Sequence, residues 1–203
     1  GFEIRIEFDQ DQKTITITDN GIGMSREEVV ENLGTIAKSG TAQFLTNLTG
    51  DQKKDSQLIG QFGVGFYASF IVANKVVVET RGAEQAEAEG CRWTSSGEAD
   101  FDIETVERDA RGTEITLYLN EDAEEYLSGY RLQTIVKKYA DHVSVPVLMQ
   151  KDAEAGQEDT DDDAGGDHPE FEVINRATAL WARSRSEVAE EEYQEFYKHI
   201  AHD

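Results

Sequence analysis

Apolar and polar residues alternate from the start of the chain: Phe2, Ile4, Ile6 and Phe8 are separated by Glu3, Arg5 and Glu7. A period of two is that of a half-buried strand. After the polar run DQDQK, Ile15 and Ile17 alternate with Thr14, Thr16 and Thr18, so a hairpin is predicted. Ser25, with Glu28 three residues on, has the form of a capping box, and Val29, Val30 and Leu33 supply an apolar helical stripe. Gly34, Gly40 and Gly50 interrupt the next stretch of chain, where AQFLTNL is a short helix candidate and GDQKKDSQ is polar. A short apolar helix is expected after GQFGVGF, then the β-branched strand KVVVET, another strand around Trp93, and a further one at TEITLYL. In the last of these Ile115, Leu117 and Leu119 share a face. Leu127, Leu132, Ile135, Val136, Tyr139 and Val143 keep helical spacing up to Pro146. Strands gathered with helices, but not strictly alternating with them, predict an α+β layered domain.

The composition changes sharply at 152–167, which holds eight acids, no base and no large apolar residue. Such a segment cannot bury enough surface to offset its ordering entropy, so an extended, protease-sensitive linker is expected there. The chain thus divides into a domain at 1–151, an acidic linker at 152–169, and the start of a second domain at 170–203, with a helix beginning near Ser186. The chain opens without Met and in mid-pattern, which suggests a fragment. With 42 acids against 19 bases the net charge is −23, which argues against a nucleic acid or an anionic membrane as the main partner. The longest apolar run, FYASFIVA, has eight residues, far from the roughly 20 that a membrane helix needs. The lone Cys91 excludes an internal disulfide framework and fits a reducing, cytoplasmic setting; it reads as a small buried residue. His199 and His202 lie one helical turn apart beside Asp203 without a third ligand, so they read as a solvated helix end. Trp93, Trp181, Tyr193, Phe196 and Tyr197 read as packing residues.

Two glycine motifs carry candidate chemistry. The stretch DNGIGM places Asp19 at a strand end, followed by Gly21 and Gly23. An ionised carboxylate only accepts hydrogen bonds, which suits an exocyclic amino group such as adenine's, and the glycines let a flat ring approach the backbone. An ordinary Asp-Asn-Gly turn accounts for the same residues. The second motif is Gly60, Gln61, Phe62, Gly63, Val64, Gly65 and Phe66, whose exposed N–H groups before a helix form a natural phosphate cradle. Gly63, Gly65 and Ala68 also satisfy G-x-G-x-x-A, but the polar residues before them are not the strand that a dinucleotide fold requires. Acid and ring slot in one place, phosphate cradle in another, and a mobile lid over 34–60 between them describe a nucleotide site.

DNGIGM, NLGTIAKSGT, GQFGVGFYASF and RGTEITLYL resemble the 90-kilodalton heat-shock chaperone family in its bacterial cytoplasmic form, and the similarity runs along essentially the whole chain. That family shares its ATP-binding fold with gyrase, histidine-kinase and mismatch-repair ATPases. The resemblance implies a two-layer sandwich, a mixed or antiparallel sheet with helices on one face. It implies that Asp19 bonds the adenine amino group, with Thr113 supporting the water network and Met24 packing on the ring. Gly23 and Leu33 would line the pocket with Asn32, which lies near the sugar; Lys38 would stand near the phosphates, and residues 60–66 would wrap them. ATP or ADP with Mg2+, unfolded client proteins and a homodimer in the full-length chaperone are implied in the same way. The family's general-base glutamate and magnesium-holding asparagine lie on a helix before the first strand present here, so both are expected upstream of Gly1. No acid of this chain is assigned their role, and slow turnover is expected. A nucleotide-free interaction module and a gyrase-type ATPase are the alternatives.

Overall fold

Eight strands form one open mixed sheet among the residues described by the computed structural model, 1–34, 64–98, 100–141, 143–151 and 170–176. In chain order they are β1 (Ile4–Asp9), β2 (Thr14–Asp19), β3 (Ala73–Arg81), β4 (Gly90–Ser95), β5 (Phe101–Val106), β6 (Gly112–Leu119), β7 (Val147–Gln150) and β8 (Phe171–Val173). Their spatial order is β5-β4-β3-β6-β2-β1-β7-β8. Only β1 and β7 run parallel; the other neighbours are antiparallel. The helices are α1 (Arg26–Leu33), α2 (Ser69–Val72), which continues a 3-10 turn at Phe66–Ala68, and α3 (Gly129–Tyr139). None of the described helices is long and apolar enough to cross a membrane. The expected lid, the acidic linker, Lys38, Gly60, Gln61, Phe62, Gly63 and the helix after Ser186 lie outside the described residues.

The register explains why one face of the sheet is buried. Ile103, Trp93, Val78, Ile115, Ile17, Ile6 and Met149 stand side by side across seven strands. Beside them runs a second row of Phe101, Ser95, Val76, Leu117, Ile15 and Phe8. Val29 and Leu33 of α1 and Leu132 and Val136 of α3 belong to the same buried cluster as these rows. Each large apolar side chain so covered stabilises the fold by about 1.5–3 kcal/mol. On the other face Arg92 pairs with Glu79 at 2.7 Å and with Glu104 at 3.5 Å, while Arg108 lies 3.8 Å from both Glu79 and Glu114. An α+β layered domain is what the sequence pattern predicts, and a mixed sheet with helices on one face is what the resemblance implies.

The capping box at Ser25 forms as expected: Ser25 Oγ accepts from Glu28 N at 3.2 Å, and Ser25 N donates to Glu28 Oε2 at 2.8 Å. Val30, expected in the apolar stripe, is exposed, because only Val29 and Leu33 face the sheet. The last helix is shorter than its spacing suggests: it ends at Tyr139, which is itself exposed. Leu127 caps a 3-10 turn at Glu121–Tyr126, and Val143 closes a turn through Ala140 O.

The boundary expected at 151 does not coincide with the edge of the sheet. Residues 170–176 return to it as β8, with Lys151 N donating to Glu170 O at 2.9 Å and Lys151 Nζ paired with Glu170 at 2.8 Å. Asn175, 7% exposed, fastens the strand. Its Oδ1 accepts from Val147 N at 2.9 Å, and its Nδ2 reaches the carbonyls of Ala140, Val143 and Val145 at 3.1–3.3 Å. Asn175→Ala strands several buried backbone groups and is expected to cost about 1–3 kcal/mol. Urea unfolding of the variant beside the parent measures this, and an unchanged midpoint would show that the strand contributes nothing.

Candidate functional site

The third row of the covered face is polar at its centre, where the other two are apolar. Thr105, Cys91, Thr80, Thr113, Asp19, Ile4 and Val147 are successive cross-strand neighbours. Thr80 and Thr113 are buried, at 0% and 9% exposure, and Asp19 is half-buried. A row of hydroxyls and a carboxylate at the end of a core face is costly unless each group is bonded. Here they bond one another and the neighbouring backbone.

Asp19 Oδ1 accepts from Gly21 N at 2.8 Å and from Thr113 N at 3.3 Å. Among the described residues Oδ2 has no hydrogen bond, so the carboxylate is held at one oxygen and offers the other. The loop after Asp19 is fastened to the end of β3: Ala83 N donates to Ile22 O at 2.8 Å and Met24 N to Thr80 Oγ1 at 3.0 Å. Gly23 makes this possible. Its φ is +64°, and a Cβ there would overlap the backbone oxygen of Arg81. Gly112, φ +106°, is similarly constrained, since a Cβ would overlap the backbone oxygen of Asp19. At Gly23 and Gly112 the absent Cβ makes room for protein backbone, as the turn reading of DNGIGM requires.

Met24, Leu33 and Phe66, three of the expected site residues, belong to or pack against the core cluster. Met24 is half-buried and packs against the core beside α1. Leu33 is buried, and Asn32 carries a buried Oδ1 with no hydrogen-bond partner among the described residues. An orphaned amide oxygen of this kind fits a hydroxyl-bearing ligand. Phe66 packs edge-on against Trp93, with ring centroids 5.6 Å apart, in the same core. Val64 is exposed, and space around Gly65 is open. Of the expected phosphate cradle, only Val64, Gly65 and Phe66 lie among the described residues.

Leu33, Gly34, Tyr67, Phe70, Trp93 and Phe101 line a cavity of about 200 Å³, which Ser95, Gly97, Glu98 and Asp100 complete. Trp93 Nε1 is buried there without a partner among the described residues. Burial pushes the Tyr67 hydroxyl up, and its proton is donated to Leu33 O at 3.1 Å. Burial likewise pushes the Cys91 thiol up, as expected of a packing cysteine. No cluster of three or more potential metal ligands occurs among the described residues. Thr80 is the member of this polar row that sequence reasoning missed. Its signal resides only in the pairing of β3 with β6, which no local pattern announces.

Residues 2–125, more than half of the chain, match the family described as histidine kinase-, DNA gyrase B-, and HSP90-like ATPase. Residues 165–203 match the family described as Hsp90 protein.

Proposed function

The chain belongs to the histidine kinase-, DNA gyrase B-, and HSP90-like ATPase family, and on that premise we propose that the Asp19 niche takes the adenine of ATP or ADP. The observation that supports this most is the half-engaged carboxylate. Oδ1 is fixed by two backbone donors, which leaves Oδ2 to accept from the 6-amino group. Met24 packs on the ring, Leu33 closes the pocket, and the orphaned Oδ1 of Asn32 accepts from a sugar hydroxyl. As the family's pattern implies, the chain over 60–66 would wrap the phosphates through its backbone N–H groups and Lys38 would stand near them, with Mg2+ carried on the phosphates.

The second match, over 165–203, supports a chaperone of the Hsp90 type. On this reading ATP hydrolysis is coupled to the folding of client proteins, in a cytoplasmic homodimer serving the stress response. The net charge of −23 counts against a DNA-acting relative, because a phosphate backbone would be repelled.

Calorimetric titration of the 203-residue chain with ADP tests the reading. Saturable one-site binding is expected. A flat titration up to about 1 mM ADP, equivalent to binding weaker than about −4 kcal/mol, would overturn it and favour a nucleotide-free interaction module.

A further inference from the structure

Thr80 lies behind the site, fully buried, on a strand that neither glycine motif includes. Its hydroxyl is the point where three parts of the niche meet. Met24 N, from the loop after Asp19, donates to Thr80 Oγ1 at 3.0 Å. Thr80 Oγ1 lies 3.0 Å from Gly112 O, at the start of β6, and 3.0 Å from Thr113 Oγ1. A hydroxyl has one proton to donate and two lone pairs to accept with. Gly112 O can only accept and Met24 N can only donate. When Thr80 gives its proton to Gly112 O, the remaining lone pair is filled by the proton of Thr113.

That bond direction has a consequence for the ligand. With its proton given to Thr80, Thr113 Oγ1 has only lone pairs left to offer. Asp19, its cross-strand neighbour, also presents only lone pairs. The floor of the niche is then purely accepting, which complements the two N–H donors of a 6-amino group and repels a 6-oxo group. We propose that Thr80 is a specificity-determining positioning residue, which fixes the proton direction of Thr113 and the seat of the Asp19 loop, and so selects adenine over hypoxanthine. This rests on the adenine-site reading above.

The test is binding of ADP and of inosine diphosphate to the full chain, by calorimetry, in the parent, Thr80→Val and Thr80→Ser. The parent is expected to favour ADP. Thr80→Val removes the hydroxyl while keeping the shape; loss of the bond from Met24 N weakens both nucleotides, and ADP is expected to lose about tenfold more than inosine diphosphate. Thr80→Ser restores the hydroxyl and is expected to keep the parent's preference within about threefold. A merely structural role would weaken both nucleotides alike. If the parent binds neither, the adenine-site reading fails. If the parent favours ADP and Thr80→Val keeps the same ratio, the role of Thr80 fails. Should Thr80→Val not fold, Thr113→Val carries the test, because it removes the oriented oxygen itself; an ADP preference undiminished there overturns the proposal as well.

Discussion

Gly23→Ala is expected to lower the stability of the chain by about 2–4 kcal/mol and to abolish measurable ADP binding. The backbone at Gly23 has φ +64°, which costs an L-residue about 1–2 kcal/mol before any contact is considered. The new Cβ would also overlap the carbonyl oxygen of Arg81. That oxygen cannot retreat freely, because Arg81 is paired with Gly112 in the β3–β6 ladder and its guanidinium donates to Gln85 O and Asp109 O. The loop has to move instead. Moving it breaks the bond from Ala83 N to Ile22 O and the bond from Met24 N to Thr80 Oγ1, and the proposed seat of the adenine ring goes with them. Gly65→Ala is the informative control for stability. Gly65 has φ −61° and nothing within 4 Å of an added Cβ, so its unfolding midpoint should stay within about 0.5 kcal/mol of the parent. Denaturant unfolding and an ADP titration of both variants measure these effects. A Gly23→Ala protein as stable as Gly65→Ala would mean that the loop is not clamped against β3.

Whether an element is legible in the sequence depends on where its signal resides. The β1–β2 hairpin is local: both strands alternate strictly and a polar turn joins them, so period and register come from one stretch of chain. The capping box of Ser25 and Glu28 is equally local. The strand β6 is readable because Ile115, Leu117 and Leu119 alternate inside the sheet. By contrast β5 is an edge strand whose Asp102 and Glu104 face solvent, and only Phe101 and Ile103 mark its inner face. β7 has four residues after Pro146, and β8 has three beyond the acidic stretch. The partner of β7, β1, lies more than a hundred residues away, so no window of sequence contains both. The site divides in the same manner. Asp19, Gly23 and Gly65 are visible as motif positions, whereas Thr80, an ordinary strand threonine in sequence, becomes a site residue only when β3 lies beside β6.

Asp19→Asn is expected to weaken ADP binding about tenfold to a hundredfold, corresponding to the about 1.5–3 kcal/mol attached to a hydrogen bond with a charged partner. The substitution keeps the size of the side chain, so the effect should fall on binding. Oδ1 in the parent accepts from Gly21 N and Thr113 N. An asparagine can keep those bonds with its amide oxygen, and its NH2 group then points at the ligand in place of Oδ2. A donor facing the 6-amino donor is repulsive; facing the 6-oxo group of inosine diphosphate it is attractive. The substitution should therefore reverse the order of the two nucleotides as well as weaken the first. Calorimetric titration of ADP and inosine diphosphate against the parent and Asp19→Asn, side by side, tests the central claim most directly. ADP preferred by the parent, with that preference lost or inverted in the variant, is the predicted result; two proteins that bind ADP equally well would contradict the placement of adenine against Asp19.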